Sequence, residues 1–440
     1  MAVSRWHCDQ AWLGRVAKNV VIEEENGRIV RVTPDAPVDP DAMPLAGLTV
    51  PGLANAHSHA FHRALRGSAQ QGAATFWSWR DEMYRLADRL DPESYFRLAR
   101  AVYGEMVLAG ITAVGEFHYL HHQAGGTPYA DPNEMGMALV AAAAEAGIRL
   151  TLLDTCYLRA GFDEPPRGTQ IRFSDGSVEA WAERVTDLGT NPAVVVGAAV
   201  HSVRAVDVDS ARVVAGWARA SNVPLHFHLS EQPAENEAAL AATGMTPTAM
   251  LAEAGALGPL STAVHATHLL PDDIVRLGQS GTTVCFCPTT ERELGDGIGP
   301  ATSLQDAGAR LAVGSDGQSV IDILEEARLV ELHTRLAHGA RGSHSSSDLL
   351  SIASGNGMKS LGWRGGKLEV GYQADFTTVG LHSVRTAGID DPLAAVMFAA
   401  NRDDVMDVVI GGRHVVQAGR HLLLGDVASQ LQAAISGLVG

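Results

Sequence analysis

Residues 51–59 read PGLANAHSH, and this stretch decides the fold of the chain. An apolar run over residues 48–54 leads into His57 and His59, which are two positions apart. On a strand, residues with this spacing project from the same face. Two imidazoles that converge on one point are a typical start of a metal site. A lone His-x-His pattern also occurs as two hydrogen-bonded histidines, so the remainder of the chain has to decide.

Further apolar, β-branched runs alternate with helix-like segments along the chain. With the first run, the predicted strands lie near residues 48–54, 111–117, 149–155, 193–200, 223–228, 263–265, 282–287 and 311–315. The helix-like segments include residues 92–109, 134–146, 206–220, 233–254 and 321–337. Eight buried strands that alternate with helices predict an α/β fold, a (β/α)₈ TIM-type barrel.

The two ends of the chain have a different pattern. Short β segments with turn residues between them fill residues 1–50, and similar segments return at 367–379 and 407–416, where they break at glycines as hairpins do. We expect both ends to pair into one small β-sandwich domain. The predicted domains are residues 1–48 (sandwich, first part), 49–364 (barrel) and 365–440 (sandwich, second part).

Polar residues follow several of the predicted barrel strands. Chemistry in such barrels lies at the C-terminal strand ends, where this chain carries His57, His59, Glu116, His118, Tyr119, His201, Arg204, His226, His228, Glu231, His265 and Asp316. Three histidines and one aspartate from this set would offer nitrogen and oxygen donors without sulfur. Such donors suit Zn²⁺, with Fe²⁺ and Mn²⁺ as alternatives. We therefore predict a divalent metal site with Zn²⁺ as the preferred ion.

The lysine content bears on the number of metal ions. A second ion needs a bridging anion, which metal-dependent barrels often take from a modified lysine at the end of the fourth strand. The fourth run here, residues 194–202, reads VVVGAAVHS, and no lysine occurs from residue 19 to 358. The sequence therefore predicts one metal ion.

Some residues that can bind metals have simpler interpretations. Cys285 and Cys287 share a strand face, but nothing rich in sulfur accompanies them, and we interpret both as small apolar filler in a buried strand. We interpret the surplus imidazoles as structural; they are His118, His121, His122, His226 and His268.

Composition excludes several classes of protein. The chain has 46% hydrophobic residues, which argues against a disordered chain. Its 33 basic and 50 acidic residues give a net charge of −17, which argues against a nucleic-acid binder. No run reaches the roughly 18 apolar residues of a membrane span, and the start lacks the pattern of a secretory signal. Four cysteines without a CxxC pair indicate a reducing compartment. We expect a cytoplasmic enzyme with no nucleic-acid or membrane partner.

Together these motifs resemble the amidohydrolase superfamily, whose members are metal-dependent hydrolases on a (β/α)₈ barrel with a flanking β-sandwich. PGLANAHSH, the later HxH, VHATH and GSD are similar to its deaminase branch. Over residues 48–420 the likeness extends to the N-formimino-L-glutamate deiminase family, in the segments HSHAFHRALRG, FWSWRDEMYR, EFHYLHH, YADP, AVHSVRAV, HFHLSEQ, VHATH, ELGDGIGPAT and GSDGQ.

The resemblance implies a reaction in histidine degradation, in which water and N-formimino-L-glutamate give N-formyl-L-glutamate and ammonia. It implies a metal held by His57, His59, His228 and Asp316, and catalytic roles for Glu231, His265 and Asp316. It places Arg80, Tyr119, His201, Arg204 and His62 in the substrate pocket. A small-molecule dicarboxylate substrate and a homodimer are implied as well.

Two departures from the family pattern adjoin this site. His62 stands where the family usually has glutamine, and Gly317-Gln318-Ser319 follows Asp316 where Ser-His-Val is usual. Both departures affect the expected substrate more than the expected reaction type.

The glutamate part of this substrate has two carboxylates, and a chain of net charge −17 repels a dianion at long range. The pocket must therefore supply local positive charge. Arginine suits this task because its planar fork binds a carboxylate through two hydrogen bonds. Arg80 and Arg204 are the candidates, although a lone arginine is more often part of a surface salt bridge.

Two other functions stay open at this point. One is a related amidohydrolase that deaminates an aromatic base or another amidine; such a pocket needs stacking aromatic residues, and only 5% of the residues are aromatic. The other is a non-catalytic barrel that serves as a scaffold. Scaffolds of this kind typically lose metal ligands, whereas all the proposed ligands and Glu231 are present here.

Overall fold

The computed structural model describes residues 3–67 and 76–439. Its strands in chain order are β1 (Ser4–Trp12), β2 (Val16–Glu25), β3 (Arg28–Thr33), β4 (Met43–Pro51), β5 (Leu53–Ser58), β6 (Ile111–His118), β7 (Arg149–Cys156), β8 (Val194–Val200), β9 (Leu225–Leu229), β10 (Ser261–His265), β11 (Thr283–Phe286), β12 (Arg310–Val313), β13 (Phe376–Val379), β14 (Val405–Ile410), β15 (Arg413–Gln417) and β16 (Arg420–His421).

The α-helices are α1 (Phe76–Arg89), α2 (Pro92–Leu108), α3 (Glu134–Ala146), α4 (Val178–Thr186), α5 (Val208–Ser221), α6 (Pro233–Thr243), α7 (Pro247–Glu253), α8 (Pro271–Ser280), α9 (Pro288–Leu294), α10 (Ala301–Asp306), α11 (Ile323–His338), α12 (Ser346–Ser351), α13 (Gly357–Ser360), α14 (Pro392–Phe398) and α15 (Val427–Val439). A π-helical turn, Ile352–Asn356, joins α12 to α13.

Strands β5 to β12 form the predicted barrel. Each strand pairs in parallel with the next one along the chain. The ring closes where Ser58 bridges to Asp316 and where the Asp316 amide donates to the His57 carbonyl at 3.1 Å. A Cβ at Gly314 would lie 2.6 Å from the His57 carbonyl oxygen, so only glycine allows this close approach. The closure places the ends of β5 and β12 side by side.

The two chain ends form a second sheet, as predicted. Its order is β16-β15-β14-β13-β4-β1-β2-β3, with strands from both ends meeting at the β4–β13 pair. An apolar cluster of its own includes Trp6, Ile22, Leu45 and Phe376. The α/β barrel with a β domain from both termini is thus confirmed, whereas the domain limits 1–48, 49–364 and 365–440 stay predictions.

The first predicted strand, residues 48–54, is divided between the two sheets. Leu48 pairs with Val379 in the terminal sheet, and the barrel strand begins at Leu53. Gly52 lies between them, where a Cβ would come within 2.2 Å of the Thr112 hydroxyl. The apolar run is continuous because both strands are buried, so hydrophobicity alone did not show the division.

The predicted helix over residues 233–254 is two helices, α6 and α7. Gly244 ends α6 with φ of 73°, a left-handed conformation that glycine adopts without strain. Thr246 then caps α7 by accepting a hydrogen bond from the Ala249 amide at 3.1 Å, and Pro247 occupies the first turn. Gly244 and Pro247 therefore mark the break between the two helices in the sequence.

The hairpin expected over 367–379 is wrong, because only Phe376–Val379 is a strand and its partners are β4 and β14. The hairpin expected over 407–416 is present as β14 and β15, joined at Gly411 and Gly412. Both glycines have positive φ, 59° and 74°, which a tight two-residue hairpin turn requires.

Within the described residues, no helix has both the length and the apolar character required to cross a membrane.

Candidate active site

The four predicted metal ligands meet at the C-terminal mouth of the barrel. His57 is on β5 with His59 just beyond it, His228 is on β9, and Asp316 follows β12. One ligand atom from each residue lies within 4.8 Å of the others, and all four residues form a buried group. The barrel therefore assembles donors that are far apart in the sequence.

Hydrogen bonds fix how the imidazoles present their nitrogens. Nδ1 of His59 lies 3.0 Å from the Phe117 carbonyl, and Nδ1 of His228 lies 2.9 Å from the His201 carbonyl. A carbonyl only accepts, so each Nδ1 carries the proton and each Nε2 keeps its lone pair. The Nε2 atoms of His57 and His59 lie 3.3 and 3.5 Å from the Asp316 carboxylate.

This arrangement fits a divalent cation. The Nε2 atoms of His57 and His228 are 3.2 Å apart, so both nitrogens are close enough to share one cation. Burial lowers the pKa of His57, His59 and His228, so the imidazoles are neutral, as metal ligands must be. Three nitrogens and one carboxylate suit Zn²⁺, Fe²⁺ or Mn²⁺.

His265 and Glu231 lie beside the metal ligands. Nε2 of His265 is 3.8 Å from Glu231 Oε1 and 3.9 Å from Asp316 Oδ2, and its Nδ1 is 3.3 Å from Glu291 Oε1. Burial acts to lower the pKa of His265, but the carboxylates of Glu231, Glu291 and Asp316 outweigh it and raise the pKa well above its usual value. A proton is therefore held at the edge of the metal site.

The metal ligands lie at the base of a cleft. All five predicted substrate residues line it: His62, Arg80, Tyr119, His201 and Arg204. The cleft is also lined by aromatic rings, namely Trp79, Tyr84, Tyr157 and Phe173. Its lining of aromatic rings with a few polar groups is typical of a pocket for a small molecule.

His62, the first departure from the family pattern, lies inside this cleft. Its Nε2 is 3.1 Å from the Tyr119 hydroxyl, and its ring centroid is 4.6 Å from that of His59. Burial lowers the pKa of His62 to about 4, so the ring is neutral at pH 7. His62 thus offers a hydrogen-bonding group next to the metal site where the family usually has an amide.

Arg204 supplies positive charge to the cleft. The residues that the structure describes place no carboxylate within 4.0 Å of its guanidinium, although Glu231 and Glu235 are close enough for electrostatic interaction. Arg80 lies with its guanidinium carbon 5.7 Å from the Tyr84 ring centroid. The surface salt bridge considered for Arg204 is therefore absent among these residues.

Two carboxylates near the site were not predicted. Glu291 accepts from the Cys287 amide at 2.8 Å and orients His265, and Glu235 accepts from the Glu231 amide at 3.3 Å. The sequence offered one signal for Glu235, namely its position four residues after Glu231. Glu291 follows the seventh barrel strand without a motif, and only the fold brings it to His265.

The surplus imidazoles make structural contacts. His226 reaches the Ser360 carbonyl at 3.0 Å, and His268 reaches the Asp296 carbonyl at 2.7 Å. His118 and His121 lie near Asp154 in a second group of candidate ligands. The Arg184 guanidinium, however, occupies both Asp154 oxygens at 2.8 and 2.9 Å, so that carboxylate is already paired.

The two cysteines that share a strand face are buried inside the barrel. Cys285 and Cys287 pack with Ala56, Val264 and Ala312, in agreement with their interpretation as apolar filler. Cys287 also lies within 4.8 Å of ligand atoms of His265 and Asp316. Burial raises the pKa of the Cys287 thiol well above its usual value, so it is a protonated neighbour of the site.

Comparison with known proteins agrees with this geometry. The model of the Amidohydrolase family matches residues 48–415, which include the whole barrel and every site residue discussed above. The chain belongs to the amidohydrolase family.

Individual relatives are similar over nearly their full length. The formimidoylglutamate deiminase of Pseudomonas aeruginosa is 37% identical over 422 residues, which cover 92% of each chain. The 8-oxoguanine deaminase of the same organism is 30% identical over 94% of each chain. A crystal structure of an amidohydrolase from Brucella melitensis superposes with a TM-score of 0.92 at 33% identity and covers 99% of this chain and all of its own. These relatives support a hydrolytic deaminase.

Proposed function

We propose that this amidohydrolase is a formimidoylglutamate deiminase, which converts N-formimino-L-glutamate and water into N-formyl-L-glutamate and ammonia. The observation that carries the proposal is the position of Arg204, a guanidinium without a close carboxylate partner among the described residues, in the same cleft as the metal ligands. The likeness to the Pseudomonas aeruginosa formimidoylglutamate deiminase supports the same substrate.

We propose Zn²⁺ as the ion held by His57, His59, His228 and Asp316, because the donor set is nitrogen-rich and lacks sulfur. When bound, such an ion supplies Lewis-acid activation of a water molecule near pH 7. Every other step is assigned to side chains of this chain.

In the proposed reaction, Asp316 and His265 orient the attacking water. The Asp316 carboxylate takes up the proton of this water, because His265 already carries one. The new C–O bond forms at the formimino carbon, HC(=NH)–NH–R, and gives a tetrahedral centre. Glu231 lies 3.8 Å from His265, and it delivers a proton to the former imine nitrogen. Asp316 passes the proton taken from water to the same nitrogen, and Glu231 takes up the proton of the new hydroxyl. The C–N bond then breaks, ammonia leaves, and the formyl group remains on the glutamate nitrogen.

Recognition of the glutamate part is assigned to the rest of the cleft. Arg204 and Arg80 would each pair with one carboxylate, since a guanidinium binds a carboxylate through two parallel hydrogen bonds. Tyr119, His201 and His62 would donate or accept hydrogen bonds at the amidine. Their positions in the cleft support these roles.

A second candidate is an aromatic-base deaminase. The low aromatic content of the whole chain argued against it, but the cleft concentrates the rings of Trp79, Tyr84, Tyr119, Tyr157 and Phe173. The similarity to 8-oxoguanine deaminase points the same way. The substrates of the two candidates differ in charge, because formiminoglutamate has two carboxylates and an aromatic base has none. Arg80 and Arg204 would favour the substrate with carboxylates.

A direct comparison of substrates tests the proposal. Ammonia release is measured for N-formimino-L-glutamate, for its diamide, which lacks both carboxylate charges, and for a panel of purines and pyrimidines. We expect turnover of the dicarboxylate and a large loss with the diamide. Turnover of a base with none of formiminoglutamate would overturn the assignment. The homodimer and the cytoplasmic location also stay proposals; light scattering after gel filtration tests the first.

A further inference from the structure

A buried chain of hydrogen bonds connects the two strand ends that carry three of the four metal ligands. Ser58 lies between His57 and His59, and Ser315 and Gln318 flank Asp316. Ser58, Ser315 and Gln318 are completely buried. None of them has a role in the proposed reaction.

The chain begins at Asn55 on β5. Asn55 Nδ2 donates to Ser315 Oγ at 2.6 Å, and the Ser315 amide donates back to Asn55 Oδ1 at 3.0 Å. The Ser315 hydroxyl donates to Gln318 Oε1 at 2.9 Å. These contacts attach the turn that carries Asp316 to the first barrel strand.

The chain continues from Gln318 back to the histidine strand. Gln318 Nε2 donates to Ser58 Oγ at 2.9 Å, and the Ser58 hydroxyl donates to Glu116 Oε2 at 2.7 Å. The other oxygen of Glu116 accepts from the Ala60 amide at 2.6 Å. Each hydroxyl in the chain accepts one hydrogen bond and donates one.

The turn that holds Asp316 needs such support. Asp316 and Gln318 have φ of 36° and 60°, left-handed values that non-glycine residues rarely adopt. Residues persist in such conformations only when the surrounding contacts hold them there. Besides the chain, the Gly317 amide donates to the Thr290 hydroxyl at 3.0 Å, and Arg63 donates to the Gln318 carbonyl.

We propose that Gln318 is a positioning residue for the metal site: its side-chain amide joins Ser315 to Ser58 and so fixes Asp316 relative to His57 and His59. This inference rests on the proposed metal site. The carbonyl of Gln318 serves the Asp316 turn and its NH₂ serves the histidine strand, so the residue must offer one acceptor and one donor. A neutral histidine also offers one acceptor and one donor.

The test measures metal affinity, without any substrate. The metal-free full-length protein is titrated with Zn²⁺ against a fluorescent chelator, for the wild type, Gln318→Leu and Gln318→His. Loss of a partner that orients metal ligands typically weakens binding by about 10–100-fold. We expect that loss for Gln318→Leu and an apparent Kd within about threefold of the wild type for Gln318→His, which keeps an acceptor for Ser315 and a donor for Ser58.

Thr151→Val is the matched control. Thr151 is fully buried on β7 and joins the Leu361 carbonyl and the Trp363 indole at 2.8 and 3.0 Å, away from the barrel mouth. The Thr151→Val variant should lower the thermal stability of the metal-free protein and leave Zn²⁺ affinity unchanged. If Gln318→Leu does not fold, Ser315→Ala removes the neighbouring link and is expected to weaken Zn²⁺ binding in the same direction.

Wild-type Zn²⁺ affinity in Gln318→Leu, or equally weak binding in Gln318→Leu and Gln318→His, would overturn the proposal, and so would unchanged binding in Ser315→Ala. A wild-type protein that binds Zn²⁺ but does not turn over formiminoglutamate would contradict the proposed substrate alone. The spectrum of the Co²⁺-loaded protein gives a second readout. We expect it to change in Gln318→Leu and not in Thr151→Val.

Discussion

Nε2 of His57 and Nε2 of His228 lie 3.2 Å apart, although 171 positions separate the two residues in the sequence. The His228 ring is held by the His201 carbonyl, so its Nε2 presents a lone pair to His57. Nε2 of His57 also lies 3.3 Å from the Asp316 carboxylate, so donors from three separate strand ends converge on one point. The contact between two distant strands is therefore the clearest structural sign of the metal site.

Substitution of His228 should abolish metal retention. His228→Ala removes one of four donors, and we expect the apparent metal Kd to rise by a hundredfold or more, since even an outer partner of a ligand contributes about 10–100-fold. His414→Ala is the control, because His414 contacts Asp407 at 3.0 Å in the terminal sheet. Metal analysis after dialysis measures both. Full metal content in His228→Ala would remove this residue from the site.

Glu231→Gln separates catalysis from metal binding. Glu231 is not a metal ligand in this account, so the variant should keep its metal. The lost proton transfer should reduce kcat by at least about a hundredfold. Glu237→Gln, at an exposed position on α6, is the matched control and should turn over normally. Near-normal kcat in Glu231→Gln would contradict the assigned role.

Arg204→Ala tests recognition of the carboxylate. The variant leaves a substrate carboxylate without its partner, and we expect a higher KM and a loss of about 2–5 kcal/mol in kcat/KM. For the diamide, which lacks the carboxylate charges, the loss in kcat/KM should be much smaller. Arg212→Ala is a control, since Arg212 is an exposed residue that pairs with Asp209. Equal losses for the dicarboxylate and the diamide would argue against a carboxylate contact.

Acid should weaken the fold partly through Asp154. Burial acts to raise the pKa of Asp154, but the paired Arg184 guanidinium outweighs it and lowers the pKa below the ordinary value. A carboxylate with a lowered folded pKa stabilises the fold fully above its unfolded pKa of about 3.9. That contribution is lost as the pH falls through the folded value.

The variant Asp154→Asn should therefore be less stable than the wild type at pH 7, by about 3 kcal/mol for a broken buried pair. The difference in free energy of unfolding should shrink as the pH falls below about 5. Denaturant unfolding at several pH values measures this. Asp209→Asn, in a pair where the Asp209 side chain is 89% exposed, should show little difference at any pH. A constant difference for Asp154→Asn would contradict the linkage.

The barrel and its ligand positions were predictable from the sequence for a physical reason. In a (β/α)₈ barrel every strand ends at the same mouth, so polar residues at strand ends must lie near one another. His57, His59, His228 and Asp316 each follow or end a buried apolar run. The strand-end pattern therefore indicated a metal site at this mouth, whereas the resemblance to the amidohydrolases supplied the choice of these four residues.

Other features depend on contacts that no local pattern contains. Glu291 reaches His265 from helix α9, and Gln318 reaches Ser58 across 260 positions in the sequence. The division of residues 48–54 between two sheets also depends on which strand each half meets. The break between α6 and α7 is a different case, because Gly244 and Pro247 mark it in the sequence. It was missed because the helical periodicity continues over residues 233–254.

The most direct test of the central claim is metal content and activity measured on one sample of the purified chain. We expect about one divalent ion per chain, ammonia release from N-formimino-L-glutamate, loss of that activity when a chelator removes the ion, and recovery when Zn²⁺ is returned. A chain that binds no divalent metal, or that releases ammonia from formiminoglutamate at the same rate after complete metal removal, would contradict the account.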